Sequence, residues 1–241
     1  MNSQLNNANL KTVLNWSSGK DAAMAFYTLQ RNNSYKVTHL LTTVNNEHNR
    51  VVMHGIRESL LDEQAKRMQL PLIKVKLPAA PDDEQYRAAM EQTFVQLKKE
   101  GIVASAFGDI FLEDLKTYRE EQLARVGIKG IFPLWEKNTR ELVREVQRAG
   151  IEAMIVCVNE KFLGKEFLGR KIDEMLLKDL PPNVDPCGEN GEFHTFVYNA
   201  PFFTAPVPII KGEIVYKAYT PAVNDPDKWN TGFYFLDLLL D

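Results

Sequence analysis

Two short stretches of this 241-residue chain gather side chains that could do chemistry. The first, Ser17-Ser18-Gly19-Lys20-Asp21, is a turn of small residues carrying one ammonium and one carboxylate, and it runs into the helix-forming Ala22-Ala23-Met24-Ala25-Phe26. Small residues let backbone N–H groups approach an anion, a helix N-terminus favours negative charge, and Lys20 adds a point charge, so phosphate is the natural ligand. The turn lacks the long glycine-to-Gly-Lys spacing of a Walker A sequence and contains no G-x-G-x-x-G, which argues against a kinase or a dehydrogenase. The second stretch, Asp185-Pro186-Cys187-Gly188-Glu189-Asn190-Gly191-Glu192-Phe193-His194-Thr195-Phe196-Val197, packs acids, an amide and an imidazole around two glycines. It reads as a flexible loop that turns tightly to bring those groups to one ligand.

Such groups need a scaffold, and the pattern around them describes one. Short apolar runs alternate with stretches of helical period through the first two-thirds of the chain, as successive βαβ units do. The expected strands are Thr12 to Trp16, Lys36 to Val44, Leu72 to Leu77, Ile102 to Phe107, Gly130 to Pro133 and Ala153 to Val158. Between them Ile56, Leu60, Leu61, Ala65 and Met68 share a helical face, as do Tyr86, Met90, Phe94 and Leu97, and then Leu142, Val143 and Val146. Asn138 and Glu141 have capping-box spacing for the last of these, and Pro71 marks the end of the first. The expectation is an α/β fold, a mostly parallel sheet flanked by helices, with ligands outside the carboxyl ends of the strands where Lys20, Thr43 and Asp109 emerge. After Asn159 the pattern changes to a helix over Arg170 to Asp179, a polar loop, and β-like Ile209 to Ala218 and Phe233 to Leu240. A division into residues 1–159 and a smaller 160–241 portion follows, with the last strand either an edge or an interface.

Composition bounds the rest. With 44% hydrophobic and 25% charged residues the chain can bury a substantial core. A formal net charge of -3 gives no global attraction to nucleic acid. No apolar run reaches the roughly 18 residues of a membrane span, and the Asn-rich start lacks the apolar core of a signal peptide, so a cytoplasmic location is expected. Cys157 and Cys187 are too few for a disulfide framework and lack the paired spacing of a zinc site.

The first motif resembles the PP-loop of ATP pyrophosphatases, whose usual form is Ser-Gly-Gly-Lys-Asp-Ser. Here Ser18 replaces the first glycine, which is tolerable if its backbone φ stays negative, and Ala22 replaces the final serine, which removes a hydroxyl donor to phosphate. The second motif resembles the Glu-Asn-Gly-Glu-Phe-His-Thr signature of the diphthine–ammonia ligase family, including the preceding Asp-Pro-Cys-Gly. Met53-His54-Gly55-Ile56-Arg57, Gly108-Asp109-Ile110-Phe111-Leu112-Glu113-Asp114 and Phe132-Pro133-Leu134-Trp135 agree with it.

The resemblance implies an adenine nucleotide alpha hydrolase-like fold and an amidation in which a carboxylate is adenylated by ATP and ammonia then displaces AMP. It sets Ser17, Ser18, Gly19, Lys20, Asp21, Thr43, His54 and Gly108 around the nucleotide, and Asp109 and Glu113 around Mg2+ or a substrate amine. Glu189, Glu192 and His194 become the groups that bind ammonium and take its proton, alongside catalytic Lys20 and Asp109. The partner it implies is translation elongation factor 2 where diphthamide is made, and another carboxylate in a bacterial source; a homo-oligomer is open. His54 reads equally as a helix-end residue, Trp135 as core, and Tyr118, Arg119 and Glu120 as a solvated face. Two other functions stay open: tRNA thiolation with Cys157 or Cys187 carrying sulfur, and an ATP-binding sensor without turnover.

Overall fold

The computed structural model describes residues 9–46, 50–51, 55–78, 81–219 and 231–241. Its first sheet is built from β1 (Leu10–Asn15), β2 (Tyr35–Asn45), β4 (Leu72–Leu77), β5 (Ala104–Ala106) and β6 (Lys129–Ile131), all parallel in the order β4-β2-β1-β5-β6. A short β3 (Arg50–Val51) pairs antiparallel with the end of β2. The crossover helices are α1 (Lys20–Gln30), α2 (Glu58–Met68), α3 (Asp83–Lys99) and α4 (Glu113–Val126). Because side chains alternate along a strand, Leu14 and Leu40 join the core with α1 and α2, whereas Val13 and Leu41 join the opposite core with Phe94, Leu97 and Leu123 of α3 and α4. The apolar faces read from the sequence in α2, α3 and α5 (Thr139–Arg148) are the faces that pack, and Asn138 caps α5 by accepting from the Glu141 N–H at 3.0 Å.

The second sheet is antiparallel: β8 (Phe193–Asn199), β7 (Glu152–Asn159), β10 (Thr231–Leu240) and β9 (Ile209–Tyr219), in that order. Here the expectation for Ala153 to Val158 is corrected, since this apolar run leaves the parallel sheet and pairs with β8 and β10. Its buried sequence suits either sheet, and its partners lie too far along the chain to be read locally. The second sheet therefore starts before the division expected after Asn159. The short α6 (Glu174–Asp179) occupies only the end of the helix expected from Arg170.

One consequence positions the site. Within α1, Ala22, Ala23, Met24, Ala25, Phe26 and Leu29 are all buried, and they share one core with Leu14 and Leu40 of the first sheet and Phe196 and Val197 of the second. A helix apolar nearly all round is one covered on both sides. The N-terminus of α1 thus lies where both sheets can reach it. Among the described residues no helix is long and apolar enough to cross a membrane.

Candidate active site

A cavity of about 400 Å³ opens at the carboxyl ends of β1, β2 and β5, where the strand order reverses between β1 and β5. The strands of the first sheet and the turns that follow them contribute Asn15, Ser17, Thr43, Gly108 and Asp109, the start of α1 gives Asp21 and Ala22, the segment before β8 adds Gly188 and Glu189, and β8 itself adds His194. The two stretches singled out in the sequence, more than 160 residues apart, therefore face each other across one space.

The phosphate-type loop is held from behind. Gln64 of α2, fully buried, accepts from Trp16 Nε1 at 2.8 Å and donates to the carbonyls of Ser18 at 3.2 Å and Val197 at 2.7 Å. The Val197 N–H donates to the Ser18 carbonyl at 2.9 Å, and the Lys20 N–H, an orphan of the first helical turn, donates to the Thr195 hydroxyl at 3.0 Å. Gly108 packs so close that a Cβ would lie 2.8 Å from the Asp21 carbonyl carbon and 2.9 Å from the Ala22 nitrogen. Both are backbone atoms that cannot turn aside. Gly108→Ala should therefore push the start of α1 away and cost about 1–3 kcal/mol, read as a fall in melting temperature.

Ser18 departs from its expected conformation. Its φ is +75°, in the left-handed region that favours glycine, and its buried Oγ has no hydrogen-bond partner among the described residues. The chain tolerates this because the Ser18 carbonyl is fixed twice, by Gln64 and by Val197. Ser18→Gly removes both the strain and the orphan hydroxyl. Net of the entropy that glycine adds to the unfolded chain, a gain of about 1 kcal/mol is expected, read as a rise in melting temperature.

The cavity is acidic, and its carboxyls are pushed toward neutrality. Burial raises the Glu189 carboxyl to about 7 against the Ile110 N–H it accepts at 2.7 Å, and Asp21 and Asp109 push the same way as burial. Burial also raises Asp109, although Arg119 lies against it with Nε 2.7 Å from Oδ2 and its guanidinium over the Phe107 ring at 4.4 Å. Asp21 is raised by burial despite Lys20 at 2.9 Å. For Lys20, burial opposes the charge, yet Asp21, Cys187 and Glu189 together hold its pKa above the ordinary lysine value. Burial, then the Lys20 charge, bring His194 down to about 4, so its imidazole is neutral at pH 7 but a weak base.

Residues 10–130 match the diphthamide synthase N-terminal domain and residues 138–223 match the diphthamide synthase C-terminal domain. The chain belongs to the diphthamide synthase family. It is 32% identical over 124 residues to the diphthine–ammonia ligase of Homo sapiens, covering 49% of this chain and 46% of that protein. The Schizosaccharomyces pombe enzyme of that name is 28% identical over 138 residues, 52% of this chain and 23% of its own length. The Danio rerio protein is 26% identical over 173 residues, 64% and 67%. The chain thus spans about a quarter to a half of the first two relatives. Among solved structures, the U34-tRNA thiolase NcsA of Methanococcus maripaludis matches over 58% of each chain at 15% identity with a TM-score of 0.36, too slight a likeness to bear on function.

In this member of the diphthamide synthase family the motif residues divide their labour. Glu189 and His194 line the cavity, whereas Glu192, 1% exposed, accepts from the Asp185 N–H, the Asn190 N–H and Asn190 Nδ2, and so fixes the turn they sit on. The segment is less flexible than its composition suggests, because Phe193 onward is strand β8. Lys20 lies behind the loop, bonded to Asp21 Oδ2 and the Cys187 carbonyl with the Phe193 ring beneath it. Glu113 is 69% exposed, 4.0 Å from Lys116, and is not brought to the cavity with Asp109. His54 lies outside the described residues. Arg119 corrects the sequence reading: it is a cavity residue and not part of a solvated face. Gln64 was invisible as a site residue, and Thr195 stood in the second motif without a role. An amide in an otherwise apolar helix face is the one signal that marks Gln64.

Proposed function

We propose that this chain is an ATP-dependent ligase that adenylates a substrate carboxylate and transfers ammonia to it, releasing AMP and pyrophosphate. The observation that carries the reading is the meeting of the Ser17–Asp21 loop with Glu189 and His194 on one cavity at the strand crossover. In the first step a carboxylate oxygen attacks the α-phosphorus, the bond to the bridging oxygen breaks, and pyrophosphate leaves with the electron pair. The N-terminus of α1 and Lys20 stabilise the charge that develops there, Lys20 by exchanging Asp21 for a phosphate oxygen. In the second step ammonia attacks the acyl carbon, AMP leaves with the electrons of the C–O bond, and Glu189 takes a proton from nitrogen. A carboxyl near 7 is matched to that task at neutral pH, better than an imidazole near 4. Residues 1–159 hold the nucleotide in this reading and residues 160–241 complete the substrate side.

Magnesium fits the same cavity. Asp21 and Asp109 line it, and Asp21 Oδ1 is buried with no hydrogen bond among the described residues, an oxygen donor of the kind a hard cation takes. When bound with ATP the ion would draw charge from the leaving pyrophosphate. The carboxylate is diphthine on elongation factor 2 in a source that makes it and a different carboxylate elsewhere. A sulfur-carrier role for the cysteines has the chemistry against it, because burial pushes both the Cys157 and Cys187 thiols up, away from the thiolate such a role needs.

The test is incubation with Mg2+, ATP labelled at the α-phosphate, ammonium and a panel of carboxylates including diphthine-bearing elongation factor. Carboxylate-dependent AMP and pyrophosphate, lost in Lys20→Ala, is the expected result. ADP as product would overturn the reading, and tight ATP binding with neither product would make the protein a sensor.

A further inference from the structure

Strand β9, Ile-Ile-Lys-Gly-Glu-Ile-Val-Tyr-Lys-Ala-Tyr, is the edge of the second sheet and is bonded to β10 on one side only among the described residues. Ile210, Ile214, Val215 and Tyr216 are 43–48% exposed, so apolar side chains stand on both of its faces. A long edge of this kind is a template for another strand. Lys211 and Lys217 are the usual protection against that, but Glu213 between them changes which strand is repelled.

We propose that the occupant is a second copy of β9, running antiparallel about a two-fold axis through Val215. In that register Val215 faces its own copy, Ile214 faces Tyr216, and Glu213 faces Lys217. These are a β-branched pair, a β-branched and aromatic pair, and an opposite-charge pair, each favourable across a strand seam. Two-fold symmetry makes the unlike pairs occur twice. Moving the axis to Ile214 or to Tyr216 takes Glu213 away from Lys217 and loses the opposite-charge pair. Charge therefore selects the Val215 register. β9 pairs regularly with β10 from Ile214 onward, and the register shift sets Gly212 and Glu213 together against Asp237, so Glu213 is the seam residue next to the irregularity. A seam this short belongs with small interfaces, and its dissociation constant should be on the order of micromolar. None of the cavity-lining residues belongs to β9, so the dimer stands or falls independently of the ligase reading.

Sedimentation equilibrium of the full chain from about 1 to 100 µM tests it. The expected result is a monomer–dimer equilibrium whose dissociation constant rises about tenfold or more in Glu213→Lys and in Lys217→Glu. The double variant Glu213→Lys/Lys217→Glu, which restores opposite charges, should return to within about threefold of the parent. Unchanged melting temperatures would show that these exposed substitutions leave the fold intact. A chain that stays monomeric throughout, single variants that dimerise like the parent, or a double variant that fails to recover would each overturn the proposal.

Discussion

Replacing Glu189 with Gln should nearly abolish amidation while making the protein more stable at alkaline pH. In the proposed reaction Glu189 takes the proton from the attacking nitrogen, so its loss should lower turnover by about 100- to 10,000-fold, with ATP binding retained because the amide still accepts from the Ile110 N–H. The stability effect follows from proton linkage. The folded carboxyl keeps its proton to about 7, above the 4.5 of an ordinary glutamate. Its contribution is therefore fully present below about 4.5 and is lost as pH rises through about 7. The shift corresponds to a few kcal/mol when fully buried, and solvent at the open cavity reduces this to about 1–2 kcal/mol. Glu189→Gln should melt about 2–6 °C higher than the parent at pH 8 and no higher at pH 4. Equal melting temperatures at both pH values would mean that the carboxyl is not held near neutrality, and the assignment as base would lose its support. The activity of the parent should also rise through pH 7 as Glu189 ionises.

Gln64→Leu should be the most damaging conservative-volume change outside the cavity. It strands the Trp16 indole N–H and the Val197 carbonyl in a buried layer and releases the Ser18 carbonyl from one of its two donors. Leaving two buried groups unpaired costs about 2–4 kcal/mol, a fall of roughly 4–12 °C in melting temperature. Ser18 holds a left-handed backbone only because it is pinned, so the loop should also lose its shape. The functional signature is a KM for ATP that rises more than kcat falls, since Gln64 lines no part of the cavity and touches no reacting atom. A variant that melts lower but binds ATP like the parent would make Gln64 a packing residue only.

Much of the fold was legible because its determinants are local. The alternation of short apolar runs with helical faces gave the parallel sheet, and Leu72 to Leu77 was found to the residue. The small-residue turn after the first strand marked the mouth of α1 for the same reason. Legibility failed where pairing is non-local. Ala153 to Val158 is a buried strand in either sheet, and only its pairing with β8 and β10 decides which. Phe193 to Val197 looked like loop because its polar neighbours outnumber it, yet β7 captures it as a strand.

For the site the same line divides the outcome. The sequence by itself determined that a phosphate-type loop and an acid–imidazole segment exist in this chain, since glycine, lysine and carboxylate spacing carries that chemistry directly. It also determined the family, through motifs spread over most of the length. Only the tertiary structure decided that α1 is buried between two sheets and that Glu189 faces the cavity while Glu192 turns into its own loop. It alone joined Arg119 to Asp109 and hung the loop from Gln64. Side-chain type is a local property, whereas burial, charge proximity and hydrogen-bond partnership depend on segments more than a hundred residues apart, and these set which carboxyl keeps its proton near pH 7.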